Sequence, residues 1–458
     1  MRLLLPLALL ALSAGNSDRP SLPRPPRSAL ARRLSETVIA TGALLGSSLS
    51  AQAKVRGYIA AQSAFAPRLS NSAVPRLAQS VLLNTLPIDN ELVGEVQANL
   101  ESFGQLIDPS NRQILQINSD TSILWTNLKI NAQRAAGMFL YDRNDLLPEI
   151  SSDDTFQQQS KRRIYGEIYL AELKDSILKL VSSSLKTDAE ESVRLMKVAL
   201  TNLANVAYLL VPEPLLYTAY ENTDASIKLK YANVPRLVGR ATVVLTFQRP
   251  GPLSILKSDG EDKAKMTIIV DGINYPYTAG NFVNLCLNKY FDDTKVDLEN
   301  YDVNGQLIPR LVFGDTEGYV DPFTGKLRTI PLEVLRKEKT KRMTVTGNAY
   351  NSLVFTRAQP VKSFATEGTI GMHHVRGDGN GASSAFFWIP PDRATASPAS
   401  RTEIPTIARL NTRFAAFAHV VEGAEILSKL RPSDVLLSAE VLDGAWELIV
   451  PSDESGVI

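Results

Sequence analysis

Thr278-Ala279-Gly280-Asn281-Phe282-Val283-Asn284-Leu285 is the stretch that decides the fold. Thr278 has the side chain of a helix N-cap, and the segment behind it carries Phe282, Leu285 and Tyr290 as an apolar helix. Before it lie two β-branched runs of strand length, Ala241-Thr242-Val243-Val244-Leu245-Thr246-Phe247 and Met266-Thr267-Ile268-Ile269-Val270, the second ended by Asp271-Gly272. After it come Gly314-Asp315, Asp321-Pro322-Phe323-Thr324-Gly325-Lys326, Gly368-Thr369-Ile370-Gly371-Met372, Ser383-Ser384-Ala385-Phe386-Phe387-Trp388, and Arg409-Leu410-Asn411-Thr412-Arg413-Phe414-Ala415-Ala416-Phe417. Strand, strand, helix and then further short strands predict a β-barrel with helices over its ends.

Upstream the period changes from two to between three and four. Leu92, Val93, Val96, Leu100, Phe103 and Leu106 predict one helix, ended near Asp108-Pro109 because proline disfavours helical geometry in the residue before it. A second helix is expected from about Arg112 to Tyr141, and a third through Tyr165, Tyr169, Leu173, Ile177 and Leu180. Thr187 and Glu190 have capping-box spacing and open a fourth, with Val193, Met196, Leu200 and Leu203. Four amphipathic helices on short polar loops predict an antiparallel bundle. The chain therefore reads as an α+β multidomain protein, with a helical bundle over 80–212 and a barrel domain over 230–450.

The N-terminus reads as an address. Met1-Arg2, the apolar run Leu3 to Leu12 and Ser13-Ala14-Gly15 make a short secretory signal. Asp18 to Ser35 is rich in Pro, Ser and Arg like a transit peptide, and ends in Arg32-Arg33. Val38 to Leu49 and the small-x-small site Ala51-Gln52-Ala53 follow, as in a twin-arginine export signal. Residues 1–53 are thus expected to be a targeting presequence leading to a chloroplast thylakoid lumen, in a plastid of secondary origin. The alternative is a single bacterial-type export signal. Beyond residue 53 the chain has 43 basic and 46 acidic side chains, which argues against nucleic acid as a partner. Arg336 to Arg342, the densest basic run, lacks aromatic residues and is expected to be a solvated loop. No later run reaches the ~18 apolar residues of a spanning helix, so the protein is expected to be peripheral at most to the thylakoid membrane.

In order and separation, the blocks from Thr278 to Phe417 resemble those of cyclophilin-type peptidyl-prolyl cis-trans isomerases. The resemblance implies an eight-stranded antiparallel barrel. Leu86-Pro87-Ile88-Asp89-Asn90 and Glu95-Val96-Gln97 further resemble the plant thylakoid-lumen cyclophilins that carry a helical region before the barrel. It also implies a groove in which an apolar pocket seats a proline ring and an arginine donates to the twisted amide. The rotation barrier is about 18–20 kcal/mol, and one donor at the developing charge is commonly worth ~3 kcal/mol. Counting back about ten residues from Gly314-Asp315 puts Asn304 or Gly305 in the arginine's place, with Arg310 too close to that corner without a shift of register. The family's glutamine falls on Val312, and its second amide on Ala385. Its tryptophan falls on Arg409 and its histidine on Phe414.

What the resemblance leaves as peptide-binding residues is Phe387, Leu410, Phe414 and Met372, with Arg409 as a substitute donor at the rim; no catalytic residue is assigned. These apolar residues either hold a peptide or fill the barrel core. The implied partners are proline-containing peptides or luminal segments of photosynthetic membrane proteins, in an assembly or maintenance role for photosystem II. The other readings are an active isomerase, using Arg409 or a shifted Arg310, and a non-binding scaffold barrel. Cofactors and metals are not expected. His373 and His374 are adjacent, as on a strand end, and point apart; with His419 they are all the histidines of the chain, short of three convergent ligands. Gly377-Asp378-Gly379-Asn380-Gly381 lacks the Gly-Lys-Ser/Thr of a phosphate loop and reads as a turn. Cys286, without a second cysteine to pair with, reads as core.

Overall fold

The computed structural model describes residues 77–107, 126–139, 156–249, 263–347, 359–389 and 405–451, apart from 89, 128, 187, 304, 323, 339–340 and 375–377. The expected presequence, the whole stretch 112–125 of the second helix, Thr187 and Gly377 lie outside them.

The bundle is built on α1 (Ala78–Asn84), α2 (Glu91–Ile107), α3 (Phe156–Leu185) and α4 (Ala189–Leu209), with a further helical segment over 129–139. The Asn90 side chain accepts the Val93 N–H at 3.0 Å and so caps α2, which gives the Leu-Pro-Ile-Asp-Asn motif a local role. At α4 the N-cap is Asp188, whose carboxylate accepts the Glu191 N–H at 3.1 Å, one residue beyond the expected start. A carboxylate there also faces the positive end of the helix dipole, which a threonine does not exploit. Val93, Val96, Leu100, Phe103, Leu173, Ile177, Leu200 and Leu203, all predicted from periodicity, are buried in one core.

The barrel is closed and antiparallel, with eight strands: β1 (Arg240–Gln248), β2 (Lys263–Asp271), β3 (Thr294–Val303), β4 (Gln306–Phe313), β7 (Thr369–Met372), β8 (Phe386–Trp388), β9 (Ala418–Glu422) and β10 (Val435–Asp443). The order around it is β8-β4-β3-β10-β1-β2-β9-β7, with β7 paired back to β8. Between β4 and β7, β5 (Glu333–Glu338) and β6 (Lys341–Thr346) form a hairpin, extended by Gln359–Pro360 into a three-stranded sheet. Of the basic run, Arg336 to Glu338 and Lys341 to Arg342 are therefore paired strand residues and not a solvated loop, and Arg336 is buried. Composition reported its charge correctly and missed the pairing, which places Lys337 opposite Arg342.

Helix α5 (Pro276–Leu287) closes one end of the barrel, with Phe282 among Phe291, Phe386 and Phe417. Thr278 is in its first turn and does not cap it. The cap is delivered from β5: the buried Glu333 carboxylate accepts the Tyr277 N–H at 3.2 Å, the Thr278 N–H at 2.8 Å and the Thr278 hydroxyl at 2.7 Å.

Bundle and barrel share one core. Ile269, Ile273 and Val421, on the outer wall of the barrel, cluster with the helices. Gln79 donates to the Val421 carbonyl at 3.0 Å and Arg240 to the Leu82 carbonyl at 2.6 Å, while Asn274 donates to the Thr85 carbonyl at 3.3 Å. Under these contacts Asp271 receives Lys362 Nζ at 2.8 Å and lies 4.0 Å from Arg240 Nε, all three side chains being buried. No helix of the described residues is long and apolar enough to cross a membrane.

Candidate functional site

Side chains alternate along β4. Leu311 and Phe313 point into the barrel, and Ile308, Arg310 and Val312 point to the other face. There they meet Tyr301 from β3, Phe364, and Phe387 from β8. Helix α6 (Pro405–Leu410) and the turn after it add Ile407, Leu410 and Phe414. Phe387, Leu410 and Phe414, expected together from the sequence, are brought together in this cluster, separate from the barrel interior.

At its centre is a charge. Arg310 is 0% exposed. Its guanidinium carbon stands 4.4 Å from the centroid of the Tyr301 ring, 4.5 Å from Phe387 and 5.1 Å from Phe414. Its Nη2 donates to Glu299 Oε2 at 2.7 Å. Among the described residues Nε and Nη1 have no hydrogen-bond partner. Burial pulls the arginine's pKa down, but a guanidinium stays protonated at any ordinary pH. Phe387 has the Arg310 guanidinium over its ring and Phe364 stacked on it at 5.2 Å, and Phe414 meets it edge-on at 5.0 Å.

Glu299 Oε2 also receives His373 Nε2 at 3.0 Å. Burial, and then the Arg310 charge, push the His373 pKa down to about 4. His373 is therefore neutral at pH 7 and donates its Nε2 proton to the carboxylate. His374 turns to the Arg413 carbonyl at 2.8 Å and stacks on Phe414 at 4.3 Å. Among the described residues no group of three His, Cys, Asp or Glu side chains could hold a metal ion.

Two of the expected site residues lie elsewhere. Met372 pairs with Phe386 and is buried inside the barrel. Gly371 takes the groove-side position instead: a Cβ there would stand 2.6 Å from both Phe364 Cε1 and Phe387 Cζ. Arg409 is exposed on the last turn of α6 and is not part of the aromatic cluster. In an α-helix the neighbour of an inward-facing Leu410 is rotated away by about 100°. Val312 and Ala385 are buried in the cluster as apolar filling.

Of the two positions that the resemblance assigns to the family's arginine, Asn304 lies outside the described residues and Gly305 lies between β3 and β4. Gly305 there has φ +84 and donates its N–H to Asp302 Oδ1 at 2.6 Å, and it has no side chain to act as donor. Sequence counting kept Arg310 only as a donor on a shifted register and weighed His373 only as a metal ligand, and it missed Glu299, Tyr301, Phe364 and Gly371. Period-two alternation from Val312 was the available signal for Arg310.

The profile of the cyclophilin type peptidyl-prolyl cis-trans isomerase/CLD family matches residues 256–441. A Synechocystis protein named as a thylakoid lumen peptidyl-prolyl cis-trans isomerase is 27% identical over 371 residues, 81% of this chain and 83% of its own length. The chloroplastic peptidyl-prolyl cis-trans isomerase CYP38 of Arabidopsis thaliana is 30% identical over 224 residues, 49% of this chain and 47% of its own. The chloroplastic CYP37 of the same plant is 22% identical over 391 residues, covering 84% and 74%.

Proposed function

We propose that this chain, which carries a cyclophilin-type peptidyl-prolyl cis-trans isomerase domain in residues 256–441, is a thylakoid-lumen protein that binds apolar or prolyl peptide segments and isomerises them weakly or not at all. One observation carries the reading: the aromatic pocket is filled by the protein's own Arg310, and of the two positions expected in place of the amide donor, Gly305 is a turn glycine, Asn304 lying outside the described residues. A donor must be aimed at the twisting amide, and Gly305 has no side chain to donate while Arg409 is exposed on the last turn of α6. The lumenal address is supported by the names of the relatives and by the stacked signals at the N-terminus. The clients we propose are luminal segments of photosynthetic membrane proteins, with a role in photosystem II assembly or maintenance.

The bundle packs on the outer wall of β2 and β9, and no described bundle residue enters the groove cluster. We read it as a fixed companion of the barrel and not as a cover over the groove. The test is a tetrapeptide isomerisation assay on the chain from residue 54. A rate indistinguishable from the uncatalysed one is expected. A clear catalysed rate lost in Arg409→Ala, or in Arg310→Met, would establish an active isomerase instead.

A further inference from the structure

Arg310 is a costly occupant of its own pocket. Stacking on three rings and one contact to Glu299 favour it, yet two of its nitrogens, Nε and Nη1, are buried without acceptors among the described residues. A buried cation with unmet donors is the arrangement that an apolar group of similar volume commonly improves upon. The box formed by Tyr301, Phe387 and Phe414 is therefore better matched to a flat or ring-shaped apolar group than to a guanidinium. Arg310 also has a way out. Its one hydrogen-bonded partner, Glu299, has a side chain 42% exposed, so the contact sits at the solvent edge and not behind the rings.

We propose that Arg310 is a displaceable internal plug: it occupies the aromatic box in the free protein, held there by Glu299, and swings out past Glu299 into solvent when an apolar ring of a peptide, such as proline, enters. Out of the box the guanidinium regains water on the donors it leaves unpaired inside. Glu299 anchors the plug, and His373, sharing the same carboxylate oxygen, positions the anchor. Gly371 keeps the floor open by letting Phe387 lie flat against Phe364. This inference rests on the peptide-binding reading above and adds the regulation of that site.

The test measures binding of a fluorescein-labelled Ala-Ala-Pro-Phe peptide to the chain from residue 54, as wild type, Arg310→Ala and Glu299→Ala, each checked for an intact thermal transition. If the plug fills the box about nine-tenths of the time, Arg310→Ala, which empties it, binds about tenfold tighter than wild type. Glu299→Ala, which only loosens the anchor, is expected to bind a few-fold tighter, and it carries the test should Arg310→Ala not fold. Measurable wild-type binding that neither variant improves, or that Arg310→Ala weakens, overturns the plug and leaves peptide binding standing. Absence of binding by all three folded proteins overturns the peptide-binding reading itself.

Discussion

Replacing Asp271 by Asn tests whether bundle and barrel fold as one body. The carboxylate is fully buried, receives Lys362 Nζ at 2.8 Å and Asn274 Nδ2 at 2.9 Å, and lies 4.0 Å from Arg240 Nε. Burial opposes its ionisation, but the charges of Lys362 and Arg240 and the two hydrogen bonds outweigh it and bring the pKa down to about 2. Asp271→Asn leaves two buried cations without a counter-ion, a loss of about 3–5 kcal/mol for such pairs. Lys362, whose own pKa burial already pulls down, can shed its proton, which favours the lower end of that range.

At roughly 2 °C per kcal/mol for a chain of this size, calorimetry should show the transition falling by about 6 °C. Arg240 also donates to Leu82, so amide exchange should accelerate in α1 together with β9, in one cooperative step. Asp175→Asn removes only the exposed i,i+4 partner of Lys179 and should leave the midpoint where it is. A fall of less than about 2 °C for Asp271→Asn, or a bundle that melts separately from the barrel, would refute the shared-core reasoning.

Three further outcomes are expected. Gly371→Ala forces Phe364 and Phe387 apart from contacts at 2.6 Å and should cost about 1–3 kcal/mol in urea denaturation, against nearly nothing if the rings are free to move. His373 is depressed from 6.5 to about 4, so the unfolded chain takes up its proton first as pH falls; stability should drop by roughly 3 kcal/mol between pH 6.5 and 4, and His373→Gln should flatten that slope. Glu333 runs the other way: burial raises it to about 7 against its three donors, so its contribution is present below pH 4.5 and is lost as pH rises toward 7, and Glu333→Gln should remove that slope in pH-dependent melting.

Much of the frame was legible because it follows from periodicity. The helices of the bundle, the two β-branched strands and the apolar helix after them each have a period or composition that backbone geometry enforces. What escaped depended on partners far away in sequence. Glu333 caps α5 from 55 residues downstream of Thr278, which no local motif encodes. Met372 and Gly371 exchange roles because facing is set by the β7–β8 register and not by apolarity. Arg310 was set aside because counting from a glycine corner compares positions along a chain, whereas a groove is lined by whatever side chains share a face of the sheet. Three aromatic rings and a carboxylate make burial of a guanidinium possible there, and only Phe387 and Phe414 among them were singled out in advance.

The most direct test of the account is an NMR titration of the chain from residue 54 with a prolyl tetrapeptide. The account predicts saturable shifts gathered on Phe387, Phe414, Tyr301, Leu410 and the Arg310 guanidinium, with the bundle helices unmoved. Shifts confined to the bundle, or none around Phe387 at saturating peptide, would contradict it.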